Sequence, residues 1–272
     1  MLSDRTIGFI GAGNMAEALI AGLLHADLTP SARLVASDID ASRLAAVNQA
    51  YRIRTHVNNR AVAKEADILV LAVEPQILGG VLEEIAEAVP RRALVVSVAA
   101  GYPLARIARG LPGVEHIVRA MPNTPSLVRQ GVTAVAYEER LSEQDAAAVR
   151  LLFESIGRML RVEERWLDAV TGLSGSGPAY VYVMIEALAD GGVKMGLPRQ
   201  TAELLAAQTV AGAARLLLDS GEHPGVLKDR VASPGGTSIA GLHQLERGGL
   251  RAALFSAVEA AAKRSSELGT GF

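Results

Sequence analysis

A glycine turn near the start of the chain has residue types that suit the binding of a dinucleotide. Gly11, Gly13 and Ala16 form the pattern G-x-G-x-x-A, which follows an apolar run at 6–10 and opens a helix-like segment. Gly11 permits a tight turn, Gly13 leaves room for a pyrophosphate, and Ala16 permits close packing of helix and strand. The N–H groups at the start of that helix then face the phosphates. A purely structural turn is the alternative, since tight strand-to-helix turns also favour glycine.

Ser37 and Asp38 follow the second apolar run, which places them at the end of the next strand. A carboxylate at that place can accept a hydrogen bond from a ribose hydroxyl, which favours NAD, whereas a 2′-phosphate prefers an arginine. Ser37 and the downstream Arg43 keep NADP as an alternative. The residues alone therefore leave the choice between the two cofactors open.

A second loop with chemical potential lies at 233–238 and reads SPGGTS. It precedes a predicted helix, so that free N–H groups and three hydroxyls converge in a way that suits a carboxylate. A capped helix start is the alternative, and it accounts for Thr237 or Ser238 but not for Gly235 and Gly236. We therefore favour an anion site at this loop.

The first 162 residues alternate between strand-like and helix-like segments, which predicts a doubly wound α/β sheet of the Rossmann type. Predicted strands lie at 6–10, 33–36, 52–56, 68–73, 93–98, 114–120, 132–137 and 159–162. Ligands of such sheets bind beyond the carboxyl ends of the strands. That rule selects the loops 11–16, 37–38, 72–76, 97–101 and 121–125. The last loop reads MPNTP, and a rigid loop without a ligand is its alternative interpretation.

From residue 163 onward no further strand-like run appears, and the pattern predicts an all-α domain. The predicted helices lie at 166–173, 177–195, 199–220, 224–232, 237–247 and 250–268. The segment 180–195 is apolar nearly all round, so it must be covered on every side. We therefore expect part of it to be buried against a second subunit. The predicted domains are 1–162 for the dinucleotide and 163–272 for dimerisation and substrate.

Composition excludes several classes of protein. The chain has no cysteine, which excludes disulfides and thiol catalysis, and its five histidines form no spaced metal or triad pattern, so no metal is expected. The net charge of −2 offers no electrostatic footprint for nucleic acid or an anionic membrane. No run approaches a membrane span and no signal-peptide pattern is present, so the sequence predicts a cytoplasmic location.

Four segments together resemble the pyrroline-5-carboxylate reductase family. They are GFIGAGNMAEALIAGLL at 8–24, RAMPNTP at 119–125, GLSGSGPAYVYVMIEALADGGVKMGLPR at 172–199 and ASPGGTSIAGLHQLE at 232–246. The resemblance covers essentially the whole chain in the right order. It implies a Rossmann domain, a helical dimerisation domain, and a homodimer that often assembles into a ring of dimers. The implied reaction reduces 1-pyrroline-5-carboxylate to L-proline with NADPH, or with NADH as the alternative.

The resemblance also implies roles for individual residues. The implied cofactor contacts are Gly11, Ala12, Gly13, Asn14, Met15 and Ala16 at the pyrophosphate, Ser37 and Asp38 at the ribose, Asn59 on the adenosine side, Ala72, Val73, Glu74 and Pro75 along the cofactor, and Met121, Asn123 and Thr124 at the nicotinamide. The implied substrate contacts are Ser233, Gly235, Gly236, Thr237 and Ser238, with Thr237 and Ser238 as catalytic candidates. Ser238 stands where the family often has threonine, and Glu74 where many members have lysine.

Two other functions compete with this interpretation. A β-hydroxyacid dehydrogenase shares the architecture, but it needs a lysine soon after its glycine loop, and here the first lysine after Gly177 is Lys194. A nucleotide-sensing regulator would keep the glycine turn but would have no need of the loop at 233–238. Both alternatives predict no reduction of a cyclic imine.

Overall fold

The computed structural model describes residues 2–270 and contains one eight-stranded sheet. The strands are β1 Ile7–Ile10, β2 Leu34–Ser37, β3 Arg54–His56, β4 Ile68–Leu71, β5 Leu94–Ser97, β6 His116–Met121, β7 Gly131–Tyr137 and β8 Gly157–Arg161. Their order across the sheet is β3-β2-β1-β4-β5-β6-β7-β8. All neighbours pair in parallel except β6 with β7, so β7 and β8 run opposite to the other strands.

The α-helices alternate with the strands in the first part of the chain and follow one another in the second. They are α1 Asn14–His25, α2 Ala41–Tyr51, α3 Asn59–Glu65, α4 Pro75–Ile85, α5 Leu104–Gly110, α6 Glu143–Glu154, α7 Leu167–Val170, α8 Gly177–Lys194, α9 Arg199–Ser220, α10 Pro224–Val231, α11 Thr237–Arg247 and α12 Leu250–Thr270. None of the helices between residues 2 and 270 is long and apolar enough to cross a membrane.

The strands β1, β2, β4 and β5 are buried at every position because helices cover both faces of the sheet. Phe9 and Val70 belong to a core on one face, whereas Leu69, Leu71 and Val95 belong to a core on the other. Successive side chains of a strand point to opposite faces, so each short strand supplies both cores. The predicted α/β fold with a doubly wound sheet, followed by helices, is confirmed.

The order in which the strands are added reverses at β1, and this reversal creates the place for a ligand. Ile10 pairs with Ser37 of β2 on one side and with Leu71 of β4 on the other. The chain therefore proceeds outward from β1 through β2 and β3, and then returns to start β4 next to β1. In open α/β sheets the loops on the two sides of such a point diverge and leave a crevice.

Packing divides the described chain into two compact units. The first contains the residues up to Ser176 together with those from Glu259 onward, and the second is Gly177–Val258. The helix α7 packs with the sheet, since its Leu167 is buried in a cluster with Ala134 and Ala136. The predicted domain boundary between residues 162 and 163 thus lies inside the first unit by packing. As a limit between functional domains it stays a prediction.

The second unit consists of helices with a very small buried centre. Its helices α8 and α9 pack against each other around Ala189, Ala202 and Ala206. Gly192 lies at this contact, because a Cβ there would be 3.1 Å from the Cβ of Ala202. Small residues therefore allow the two helices to approach closely.

Candidate functional site

The glycine turn after β1 has one glycine that the fold requires and one that leaves space for a ligand. Gly11 has φ +92°, and a Cβ on it would lie 2.6 Å from the carbonyl oxygen of Ala72. Gly13 precedes α1 as its N-cap without a side-chain hydrogen bond, and no atom lies within 4 Å of the place of its missing Cβ. The first N–H groups of α1 consequently have no helical partner and an open approach.

A cleft of about 310 Å³ adjoins this turn. Its lining includes the predicted residues Gly11, Gly13, Asp38, Asn59, Ala72, Val73 and Glu74. The other lining residues, which were not predicted as cofactor contacts, are Ile10, Ile39, Ile77 and Val81. The cleft lies beyond β1 and β4, where the strand order reverses and the sheet topology places a ligand.

The remaining predicted residues of the turn and of the loop after β4 adjoin the cleft without lining it. Ala12 and Ala16 are fully buried, which agrees with close packing of α1 on the sheet. Asn14 is exposed and Met15 is half-buried in the first turn of α1. Pro75 is the first residue of α4, where its missing N–H costs no helical hydrogen bond.

Asp38 is held by two backbone N–H groups at the end of β2. Its Oδ2 accepts a hydrogen bond from the N–H of Ala12 at 2.7 Å, and its Oδ1 accepts one from the N–H of Asp40 at 2.9 Å. These bonds join the loop after β2 to the glycine turn. Asp38 thus shapes the cleft as well as carrying a negative charge into it.

The hydroxyl of Ser37 is buried and committed to the protein. It donates a hydrogen bond to Oδ1 of Asn59 at 2.8 Å, and the amide of Asn59 donates to Glu84 at 2.8 Å. This chain of bonds connects β2 with α3 and α4. Of the two residues predicted for the ribose, only Asp38 lines the cleft.

Ile39 is the lining residue that the sequence analysis most clearly missed. Its side chain is 94% exposed, directly beyond β2 and between two aspartates. An apolar side chain at this place offers a surface for a flat base, and Ile77 offers a second one on α4. The available signal was an isoleucine inside the otherwise acidic segment Asp38–Asp40.

The loop after β6 does not line this cleft and is braced within the first unit. The amide of Asn123 accepts a hydrogen bond from the N–H of Val132 at 3.0 Å and donates one to the carbonyl of Ser174 at 3.1 Å. Met121 packs so closely on Gly175 that a Cβ there would be 2.4 Å from its Cε. Thr124 is exposed at the start of a short 3₁₀-helix. The loop is therefore locked to the π-helical segment Thr171–Gly175.

The loop at 233–238 opens α11 and leaves its hydroxyls available. Gly236 is the N-cap and makes no side-chain hydrogen bond, while Gly235 has φ +68°. A Cβ on Gly236 would lie 2.3 Å from Oγ of Ser233. Within residues 2–270 neither Thr237 nor Ser238 uses its side chain as a cap. The alternative of a capped helix start therefore does not account for the two hydroxyls.

These features limit the chemistry that the chain can carry out. In the part of the chain that the structure describes, no group of three or more histidines or acids could hold a metal ion. The two loops instead offer backbone N–H groups and hydroxyls, which bind anions and orient ligands. The described chain combines a doubly wound sheet, a glycine turn where the strand order reverses, and a following helical unit. This is the architecture of dinucleotide-dependent oxidoreductases.

Curated relatives match nearly the full chain. The pyrroline-5-carboxylate reductase of Pisum sativum is 46% identical over 98% of both chains. That of Synechocystis sp. is 45% identical over 97% of this chain and 98% of its own. The chain therefore belongs to the pyrroline-5-carboxylate reductase family.

Family models and solved structures agree with this assignment. Residues 164–268 match the family described as pyrroline-5-carboxylate reductase dimerisation, and residues 6–101 match that described as NADP oxidoreductase, coenzyme F420-dependent. The structure of Plasmodium falciparum pyrroline carboxylate reductase with NADP bound has a TM-score of 0.88 and 32% identity, over 98% of this chain and 99% of its own. The enzyme from Coxiella burnetii has a TM-score of 0.89 and 36% identity, over 97% and 98%.

Proposed function

We propose that this protein reduces 1-pyrroline-5-carboxylate to L-proline, with NADPH as the hydride donor and NADH as the alternative. The loop at 233–238 is the observation that carries the proposal. It combines free N–H groups at the start of α11 with two uncommitted hydroxyls, which suits a substrate that has a carboxylate next to a ring nitrogen. A regulator that only senses a nucleotide has no use for this loop.

The first unit has the features needed to hold the dinucleotide. The space beside Gly13 accommodates the pyrophosphate, the N–H groups of α1 bind it, and Asp38 with Asn59 borders the adenosine side. Ala72, Val73, Glu74 and Pro75 border the cofactor further along, and Met121, Asn123 and Thr124 border the nicotinamide. The reduced nicotinamide supplies the hydride.

The second unit holds and orients the imine. The N–H groups of Thr237 and Ser238 bind the carboxylate, and Ser233, Gly235 and Gly236 shape the loop, in which the N–H of Gly236 donates to the carbonyl of Ser233 at 3.0 Å. The hydroxyl of Ser238 contacts the ring nitrogen and favours its protonated form, which accepts a hydride readily. Orientation supplies most of the rate enhancement, because a well-placed pair of reactants avoids a large entropic cost.

The same proposal includes a homodimer and the assembly of dimers into a ring. The exposed apolar side chains of α8 and the match of residues 164–268 to a dimerisation family support the dimer. The family resemblance supports the ring of dimers. The predicted cytoplasmic location stays a prediction of the same kind.

Ser238→Ala tests the proposed substrate contact. The catalytic efficiency toward the imine should fall by roughly tenfold to a hundredfold, because a hydrogen bond to a charged group contributes about 1.5–3 kcal/mol. The affinity for NADPH and the thermal stability should stay unchanged, since Ser238 caps no helix. The measurements are NADPH oxidation at 340 nm with the imine, and thermal unfolding.

Ser256→Ala is the matched control, since it makes the same change on the exposed side of α12. It should leave the kinetics unaltered. Normal kinetics in Ser238→Ala would move the contact to Thr237 or to the backbone. Oxidation of a β-hydroxyacid with NADP⁺ in place of reduction of the imine, or no reaction with either compound, would refute the proposed function.

A further inference from the structure

An arginine, Arg43, binds the same residue of the glycine turn as Asp38, which lines the cleft. Nε of Arg43, on α2, donates a hydrogen bond to the carbonyl oxygen of Ala12 at 2.6 Å. Asp38 accepts from the N–H of the same residue at 2.7 Å. The guanidinium and the carboxylate thus bind the two peptide groups of one residue of the glycine turn. Arg43 therefore lies next to the place where Asp38 borders the ribose.

Glu17 holds Arg43 in this position. The guanidinium Nη2 forms an ion pair with Oε2 of Glu17 in the first turns of α1, and both side chains are about 30% exposed. The other carboxylate oxygen of Glu17 accepts a hydrogen bond from the hydroxyl of Tyr51 at 3.1 Å. Burial together with this bond to Glu17 raises the pKa of Tyr51, as expected beside a carboxylate. Glu17 is thus fixed from two sides.

The two charges near the ribose favour different cofactors. A carboxylate at the end of β2 accepts a hydrogen bond from the 2′-hydroxyl of NADH, whereas a nearby arginine accommodates the 2′-phosphate of NADPH. Asp38 is present for the first purpose. Arg43 can serve the second, but Glu17 opposes it, because a guanidinium already paired with a carboxylate has less net charge and fewer free N–H groups to offer a phosphate.

We propose that Glu17 sets the cofactor preference of this protein by competing with the 2′-phosphate of NADPH for Arg43. Glu17 is a positioning residue, since it acts through Arg43. The ion pair weakens the binding of NADPH and leaves that of NADH unaffected. This inference rests on the proposed function, because it requires that the cleft binds a nicotinamide dinucleotide.

Glu17→Gln tests the competition with the smallest change of shape. The affinity for NADPH should rise about tenfold, while that for NADH should stay within about twofold. The measurement is a fluorescence titration of the full-length protein with each reduced cofactor at one fixed ionic strength. A purely structural role of Glu17 would change both affinities by the same factor.

Glu65→Gln is the matched control for charge. Glu65 pairs with Arg54 at 2.6 Å on β3 and α3, and neither residue bonds to the glycine turn. This variant removes the same charge from an ion pair elsewhere in the first unit, and the ratio of the NADPH affinity to the NADH affinity should stay at the wild-type value. A shift equal to that of Glu17→Gln would reduce the effect to general electrostatics and overturn the inference.

Arg43→Ala allows a second, independent test of the competition between Glu17 and the 2′-phosphate. In a protein that carries Arg43→Ala, the further change Glu17→Gln should no longer alter the ratio of the two affinities, because the competed cation is absent. A tenfold shift in that double variant would overturn the inference. The proposed function and the role of Glu17 fail on different results. If the wild-type protein binds neither NADPH nor NADH, the proposed function is contradicted. Normal binding with an unchanged ratio in Glu17→Gln contradicts only the role of Glu17.

Discussion

The two compact units contain comparable fractions of apolar residues, but they bury those residues very differently. In the first unit Phe9 and Phe153 are fully buried within one of two extended cores. In the second unit Phe255 is 78% exposed. The residues that this unit buries, among those described, are the three alanines of the contact between α8 and α9.

This difference shows which unit depends on a partner. A fully buried large apolar side chain contributes about 1.5–3 kcal/mol relative to an exposed one. The first unit collects many such contributions from its own chain, whereas three alanines contribute little. The exposed apolar side chains of the second unit exceed what a monomer surface normally carries. We therefore expect its stability to depend on contact with a second copy, in agreement with the match of residues 164–268 to a dimerisation family.

Val183→Glu in α8 should have the largest effect, because it weakens the dimer contact on which the second unit is expected to depend. Val183 is 64% exposed in the single chain, and in a dimer a glutamate there would be buried without a partner. We expect the dissociation constant of the dimer to rise at least a hundredfold, about 2.7 kcal/mol. Sedimentation velocity over a range of protein concentrations measures it.

Val57→Glu is the control for that experiment, since it makes the same change at a 77% exposed valine of the first unit. It should leave the dimer intact. A dimer that tolerates Val183→Glu as well as Val57→Glu would show that α8 is not covered by a partner. The contrast between the units would then need another explanation.

The local parts of the first unit could be predicted from the sequence, because their signals lie within a few residues. The turn from β1 into α1 follows from Gly11, Gly13 and Ala16, and the buried strand β4 follows from its unbroken apolar run. Helix limits were less accurate. The predicted helix at 166–173 is α-helical only over Leu167–Val170 and continues as a π-helical segment over Thr171–Gly175.

The parts that were not predicted depend on long-range pairing. No element was predicted for α5, a short helix whose stability comes from packing of Leu104 and Ile107. The antiparallel pairing of β6 with β7 was also missed, although a connection of few residues cannot support a parallel crossover. In the site, Arg43 pairs with Glu17 because α1 and α2 approach each other in the fold. The sequence of either helix alone does not predict this approach.

The units also differ in how they hold their charges. In the first unit Asp145 accepts hydrogen bonds from Arg5 at 2.6 Å and from Ser142 at 2.8 Å, and His116 contacts it at 2.5 Å. Burial raises the pKa of Asp145, but the bonds from Arg5 and Ser142, the charge of Arg5 and the contact with His116 together outweigh it. The pKa of Asp145 is therefore lower than its ordinary value.

Asp145→Asn should lower the free energy of unfolding of the first unit by about 2 kcal/mol at neutral pH. Removal of one partner from a fully buried pair costs about 3–5 kcal/mol, and Arg5 retains some contact with water. A lowered pKa means that the stabilisation is complete above the unfolded-state value of about 3.9 and is lost as the pH falls through the folded-state value. The difference between wild type and variant should accordingly stay constant from pH 7 to about 5 and shrink below about 4.

Urea denaturation at several pH values measures this difference. Ser142→Ala, which removes the cap of α6 but keeps the charge of Asp145, is a useful comparison and should cost about 1 kcal/mol. A difference for Asp145→Asn that grows as the pH falls would contradict the assigned role of the carboxylate.

Asp219→Asn in the second unit should have the smallest effect. Arg215 and Asp219 pair at 2.6 Å on α9, but their side chains are 66% and 49% exposed. The acidic partner lies toward the carboxyl end of the helix, which is the less favourable orientation for such a pair and an unfavourable place for a negative charge. These terms oppose the attraction, so the free energy of unfolding should change by no more than about 0.5 kcal/mol. Denaturation at low and at high salt measures this change, and a loss above about 1 kcal/mol would mean that the pair is buried in the assembled protein, as the apolar surface of the same unit is expected to be.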